Sequence, residues 1–415
     1  MIWYLALIVS IAALFYAAFP AVGAFIVRGR WRTFRKTVMA VSRYPTAGPA
    51  IIGRERAALA GHFRFFGSLE AIQGDDRIWI TNGRFSVAAE LRGVRVYLIP
   101  EAEEVAGRTS AGRGASGGGL RSVPWSRIFS LPEGTPIFVG GALFAEEGRG
   151  VFRDHGNTRL LVVIHDCAQE KIVSRAIRSG RQRNEYMNAF TLPSVAIGSL
   201  SLLLLGFSLL TGHPELRGVA LLALTAGLAP VSPFLPPGFP LYFAYRSYWK
   251  RARLMRAQRD VVRLPLRYFP PSIGEPRARR ETLLPDKEPY LMIRGTMAEN
   301  DPNVIVCDGT RVSLPTGIGR IPVDLPARWG RPSGEGRTRG CVVFAAYRET
   351  PGGILLQKPE DPMAEQILVP GDPQWISHAS EQIARRYEIV SGFFISLNMV
   401  VNVPLMFVLL ALLIR

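Results

Sequence analysis

The sequence predicts a membrane protein of α+β class: four transmembrane helices plus two cytoplasmic β-domains of small-barrel, OB- or SH3-like type, arranged as a tandem internal duplication. Three observations carry this expectation. Four apolar stretches are each long enough, at about 1.5 Å per residue, to cross a hydrocarbon core of about 30 Å. Two regions of short, partly alternating strands with polar turns lie between them. A basic segment also recurs with identical spacing after an apolar run, as Arg28-x-x-Trp31-x-x-x-Arg35 and again as Arg246-x-x-Trp249-x-x-x-Arg253.

Composition narrows the class. At 48% hydrophobic and 20% charged residues, the chain is too apolar for a wholly soluble protein and too polar for spanning helices alone. Much of the net charge of +17 sits beside the apolar stretches. Positive-inside orientation and anionic lipid account for it there, so no nucleic-acid partner is expected. Cys167, Cys307 and Cys341 have no CxxC spacing and the five histidines are scattered, which excludes a disulfide framework and a zinc module. No cofactor or metal is expected.

Residues 1–27 read as the first transmembrane helix. No charge precedes the run and several follow it, the pattern of an uncleaved signal anchor with its N-terminus outside. Residues 28–45 form a basic interfacial helix with Trp31, Phe34, Val38 and Val41 along one stripe, Trp31 and the arginines meeting the lipid boundary. The first β-domain, 62–166, has strands at 63–72 and 77–80, a turn at 74–76, and an Asn82-Gly83 hairpin leading into 84–91. Strands follow at 94–99, 128–131, 136–144 and 160–164. The Gly-rich loop 107–119 lacks the Gly-Lys-Ser/Thr of a phosphate-binding loop, which excludes a nucleotide site there.

A basic helix at 171–188, with Arg175, Arg178, Arg181 and Arg183, leads into the second span, 190–211. The third segment, 218–245, holds Pro230, Pro233, Pro236, Pro237 and Pro240 and cannot be one straight helix. It reads as a helix to about Leu228 followed by a broken or re-entrant stretch, or by a new helix after Pro240. A second basic helix occupies 246–265 and a Pro- and Arg-rich linker 270–285. The second β-domain spans 288–370, with a Pro-, Gly- and Arg-rich loop at 326–340, a helix at 374–387 follows, and the fourth span is 389–414.

The duplication rests on landmarks shared in order: the basic segment; Gly67 with Asn82-Gly83 against Gly295 with Asp308-Gly309; and 138–144 with 150–152 against 342–347 with 353–355. Lys and Arg near the spans lie on one side, at Arg28 to Lys36, 175–183, 246–256 and 385–386. That distribution predicts an inner, bacterial-type cell membrane, both termini outside and both β-domains cytoplasmic. In joining a membrane anchor to a small β-barrel the chain is similar to NfeD-type membrane proteins, on architecture alone, and no site residue is carried over.

No catalytic residue is assigned. In His165-Asp166-Cys167 a Cys–His pair could form a nucleophile, but strand neighbours point to opposite faces. Asp154-His155 lacks a second ligand nearby, and Asp75-Asp76 and Asn300-Asp301 fit hairpin turns. Asn398 and Asn402, four apart, share a helix face as helix–helix glue or, alternatively, as the lining of a path. The membrane-interface candidates are Arg28, Trp31, Arg35, Arg246, Trp249 and Arg253. The expected function is that of a non-enzymatic membrane scaffold binding a protein partner or anionic lipid headgroups. A transporter or channel component, its path shaped by the Pro-rich segment and Asn398/Asn402, is the alternative, and a membrane-bound hydrolase the second.

Overall fold

Long runs of Leu, Ile, Val, Phe and Ala form helices in an apolar environment because a helix satisfies its backbone polar groups within the segment. The computed structural model describes residues 2–49, 58–99, 120–128, 130–146, 148–156, 158–182, 188–266, 278–282, 289–298, 301–307, 309–315, 318–320, 340–351, 353–357 and 366–414. Six α-helices are described: α1 (Ile2–Val41, with a π-helical turn at Ala13–Ala18), α2 (Ile172–Gln182), α3 (Thr191–Gly212), α4 (Arg217–Leu228), α5 (Gly238–Leu266) and α6 (Pro373–Leu413). Four helical segments, α1, α3, α4 with its 3₁₀ extension, and α6, are long and apolar enough to cross a membrane. Together with two β-sheets, these helices make it a multi-pass membrane protein of mixed α+β class.

The chain divides into two compact units. The first comprises Met1–Thr33, Gln182–Arg256 and Glu381–Arg415. Its core joins Ile8 of α1, Leu202 and Leu209 of α3, and Val219, Ala220 and Ala223 of α4. Lipid offers helices no hydrophobic gain on association, so close backbone approach at small residues has to supply the contact. A Cβ on Gly206 would lie 3.0 Å from the Ala220 carbonyl oxygen, and one on Gly227 3.1 Å from that of Ser199. Polar side chains join the same helices: Tyr16, within the π-helical turn, reaches Ser199 Oγ and donates to the Ala226 carbonyl, both at 3.1 Å. Leu192, Leu204, Phe393 and Val400 are among the many exposed apolar side chains, a surface suited to lipid.

The third segment breaks where its prolines begin. After α4 ends at Leu228, a 3₁₀ turn runs through Ala229–Phe234, Leu235 is extended, and α5 starts at Gly238. Pro240 falls in the first turn of α5, where its missing N–H has no intrahelical partner to lose. The new helix therefore begins two residues before Pro240, and the region read as 218–245 holds two helices. The helix at 374–387 and the span at 389–414 are likewise one continuous helix, α6.

The second unit, Phe34–Arg181 and Ala257–Ser380, carries both sheets. The first consists of β1 (Ala58–Gln73), β2 (Arg77–Thr81), β3 (Ser86–Glu90), β4 (Arg95–Ile99), β5 (Arg121–Pro124), β6 (Pro136–Glu146), β7 (Arg149–Arg153) and β8 (Leu161–His165). Its strand order is β1-β2-β3-β7-β6-β8-β4-β5, and β1 also pairs with β6. Residues two apart turn one face inward, so Phe65 and Leu69, Ile78 and Ile80, Val87 and Ala89, and Ile137 and Val139 build the core. The Asn82-Gly83 hairpin forms as read: Gly83 has φ +81°, and Asn82 Oδ1 accepts from the Arg84 and Phe85 amides. The strand expected at 128–131 does not form among its described residues. Trp125–Arg127 is instead a 3₁₀ turn after β5, with Trp125 buried and its Nε1 donating to the Asp75 carbonyl at 2.7 Å.

The second sheet contains β9 (Ala278–Thr282), β10 (Pro289–Met297), β11 (Val304–Cys307), β12 (Thr310–Ser313), β13 (Gly319–Arg320), β14 (Gly340–Thr350), β15 (Gly353–Gln357) and β16 (Ile367–Pro370). Its order is β12-β11-β10-β14-β16-β13, with β15 on β14 and β9 on β10. Leu291, Ile293, Ile305, Val343, Ala345 and Leu368 form its core. The loops 107–119 and 326–339, most of the 270–285 linker, Arg183, Asn300 and Asp308 lie outside the described residues.

Helices cover the first sheet's apolar residues through matched stripes. Phe34, Val38 and Val41 of α1 are buried, Phe34 against the Tyr97 ring at 4.0 Å and Val41 where a Cβ on Gly140 would collide with it. Arg64, fully buried on β1, donates from Nη1 to the Ser42 carbonyl at 3.0 Å, just beyond the C-terminus of α1. A cation suits that end of the helix dipole.

Candidate functional site

At the third segment's break the carbonyls of Ser232 and Leu235 accept from the Leu235 and Gly238 amides, turn bonds in place of α-helical ones. Two asparagines of α6 add side-chain donors to the same stretch of backbone. Asn398 Nδ2 donates to the Gly238 carbonyl at 2.6 Å; Asn402 Nδ2 donates to that of Ser232 at 2.8 Å and lies 3.4 Å from that of Leu235. The pair is also joined directly, Asn402 Nδ2 lying 3.2 Å from Asn398 Oδ1. Both side chains are fully covered. Gly238 is dictated by this contact, since a Cβ there would fall 1.7 Å from Asn402 Nδ2. One acceptor stays unused, because Asn402 Oδ1 is buried without a hydrogen-bond partner.

A second cluster joins residues from the two basic segments. Arg256 holds Glu388 of α6 in a two-pronged ion pair, Nε and Nη2 each 2.6 Å from a carboxylate oxygen. The positive charges of Arg253 and Arg28 act on the same carboxylate. One arginine from each occurrence of the Arg-x-x-Trp-x-x-x-Arg pattern thus lies within electrostatic reach of Glu388. Of the interface candidates, Arg28 and Arg246 are exposed, Arg35 and Trp249 half-buried, and Trp31 and Arg253 buried. The Arg253 guanidinium stacks 5.1 Å from the Trp249 ring centroid. Trp31 is covered by protein together with the rest of its stripe, which leaves Arg28 and Arg246 as the exposed members of the set.

His165 ends β8, and its Nδ1 lies 2.8 Å from the carbonyl oxygen of Cys167. Burial pushes the imidazole below its ordinary pKa and the Cys167 thiol above its own, the latter against the opposing charge of Arg175. The neutral forms of both groups are favoured at pH 7, the reverse of what an activated thiolate–imidazolium pair requires. Asp154 Oδ1 accepts from the Leu160 amide, and the His155 ring packs on Phe144 at 5.4 Å. Among the described residues no group of three or more His, Cys, Asp or Glu side chains is placed to hold a metal.

Glu388 and Gly238 were not singled out in the sequence. Glu388 carried a signal, as a lone carboxylate at the entry to the last span among basic neighbours. The Pro236-Pro237-Gly238 run carried another, because only a close contact explains glycine at a broken span. Comparison of the chain with protein-family models, curated proteins and solved structures finds no match.

Proposed function

We propose that the protein is a non-enzymatic scaffold of a bacterial inner membrane. In this reading both termini are outside, and two cytoplasmic small-barrel domains from one duplicated unit are presented to a protein partner. Basic helices hold anionic lipid headgroups. The observation that carries the lipid role is the exposure of Arg28, Arg30, Arg32 and Lys36, and of Arg246, Lys250 and Arg251, in helices that begin as exposed apolar segments.

Strand register supports the duplication. Gly67 faces Ile137 where Gly295 faces Cys341, and Phe138 faces Val163 where Val342 faces Val369. Ala142 faces Arg153 where Ala346 faces Gln357. Each sheet has a parallel pair at the same place, β4 on β8 and β13 on β16, and the first sheet has a second in β3 on β7. The barrel reading draws on the β1–β6 pairing, which closes β1-β2-β3-β7-β6 into a hydrogen-bonded ring.

The engagement of the Asn398 and Asn402 amides on backbone carbonyls favours a structural role over the lining of a transport path. The environment of His165 and Cys167 likewise favours the scaffold over a hydrolase.

Replacing Arg28 and Arg246 with Gln together tests the lipid role, read as phosphatidylglycerol retained per protein after detergent extraction. At about 1 kcal/mol per basic residue near an anionic surface, the double variant should bind roughly thirtyfold more weakly. Unchanged retention would refute the lipid role, and affinity capture from native membranes tests the partner.

A further inference from the structure

Basic side chains on the second unit raise a separate question. Helix α2 docks through Ile172, Val173, Ala176 and Ile177, all buried. Arg175 and Arg178 lie one turn apart at the margin of that face, each half-buried. Residues three apart are helix-surface neighbours, so two cations stand side by side.

Neither has a carboxylate partner among the described residues. Arg175 stands beside the Cys167 thiol, a weak acceptor, and its Nη1 is buried with no hydrogen-bond partner. Arg178 is opposed by burial first and by the charge of Arg175 second, and both press against its charged form. Glu170 and Asp166, the nearest acids in sequence among the described residues, are exposed, and neither forms an ion pair with either arginine. A guanidinium does not shed its proton at neutral pH, so the repulsion persists unless an anion arrives. A buried donor without an acceptor and two adjacent positive charges together suit an anion. Two guanidinium forks supply more donors than one carboxylate can accept, whereas a phosphate group offers several oxygens and up to two negative charges.

We propose that Arg175 and Arg178, at the margin of the docked face of α2 beside Cys167, form a binding site for a phosphate group. The site is independent of the arginines assigned above to lipid headgroups, and it does not rest on that reading. A free phosphate and the phosphate of a lipid headgroup share this chemistry, so the test carries both.

The full chain in maltoside detergent, which contains no phosphate, is titrated with inorganic phosphate and separately with short-chain phosphatidic acid, and thermal unfolding is followed. A saturable rise in Tm is expected with at least one probe. The affinity should fall about tenfold in Arg175→Gln and in Arg178→Gln, as loss of one charge-assisted contact implies. Without any anion, Arg178→Gln should melt no lower than the wild type, because the substitution removes repulsion. That control separates lost binding from lost folding, and Arg178→Lys, which keeps the charge without the fork, should bind at an intermediate level. Response to inorganic phosphate assigns a soluble anion, and response to phosphatidic acid alone assigns a headgroup. Absence of a saturable shift with either probe, or equal shifts in the wild type and both Gln variants, overturns the proposal.

Discussion

Gly238 and Asn402 are tied by a distance that leaves no latitude, and a double-mutant cycle reads the tie directly. In Gly238→Ala the new Cβ would lie 1.7 Å from Asn402 Nδ2 and 2.9 Å from Asn398 Oδ1, so the Asn402 amide has to leave its place. The displaced amide gives up its 2.8 Å bond to the Ser232 carbonyl. Hydrogen bonds between membrane helices contribute about 0.6 kcal/mol on average and up to about 1.7, and overpacking adds about 1–3. The expected loss of stability is therefore about 2–4 kcal/mol. Asn402→Ala removes the same donor without adding volume, and it also removes Oδ1, which is buried without a partner. That relief places its cost nearer 1–2 kcal/mol. In the Asn402→Ala background the 1.7 Å collision is absent and only the Asn398 contact remains, so Gly238→Ala should cost about 1–2 kcal/mol less than in the wild type. Equilibrium unfolding in mixed micelles, titrated with a denaturing detergent, measures all four corners. Equal cost of Gly238→Ala in both backgrounds, within about 0.5 kcal/mol, would refute the assignment of Asn402 as the cap of the broken segment.

Gly67→Ala and Gly295→Ala place a Cβ 2.5 Å from the Thr81 carbonyl oxygen and 2.6 Å from that of Val306. Each should destabilise its sheet by about 1–3 kcal/mol, and a tolerated substitution at one alone, by thermal melting, speaks against equivalence of the two positions. Arg64→Ala, which empties a buried site and frees the Ser42 carbonyl, should cost about 3–5 kcal/mol; Arg64→Met, which keeps most of the volume, should cost less, as denaturation midpoints would show. Alkylation at pH 7.5 should label Cys307, the least buried thiol, faster than Cys167 or Cys341, and fast selective labelling of Cys167 would revive a nucleophilic role. Burial raises the Cys341 thiol to about 11 from an ordinary 9.0, so the unfolded chain ionises first. Its contribution to stability is complete below about pH 9 and lost as pH rises to about 11, which a comparison of pH-dependent melting with Cys341→Ala reads out. His165 runs the other way: its folded pKa lies below the ordinary 6.5, so stability falls as pH drops through and below that value, and His165→Gln should flatten the acid limb.

Periodicity and punctuation made much of the fold legible. The stripe Trp31, Phe34, Val38 and Val41 was visible at helical spacing, and Asn82-Gly83 announced its turn, because both signals are local. The prolines from Pro230 to Pro240 likewise located the break in the third segment. What failed was non-local. Nothing near Ile128 reveals that Trp125 turns inward to reach the Asp75 carbonyl, so a hydrophobic run was read as a strand. Trp31 was assigned to the lipid boundary because a tryptophan beside arginines has that preference, yet its own stripe decides, and the stripe is buried. For the asparagines the sequence supplied a shared helix face. Their partners lie some 160–170 residues earlier, beyond the reach of any local pattern.

That separation governs how the chain is made. The carbonyls of Ser232 and Gly238 leave the ribosome long before Asn398 and Asn402, with the second sheet's residues synthesised in between. At about 5–20 residues per second the interval is roughly 8–34 s. Throughout it the third segment has its local turn bonds but lacks the side-chain donors that α6 brings. The last helix is therefore the element that completes the hydrogen bonding of the membrane unit.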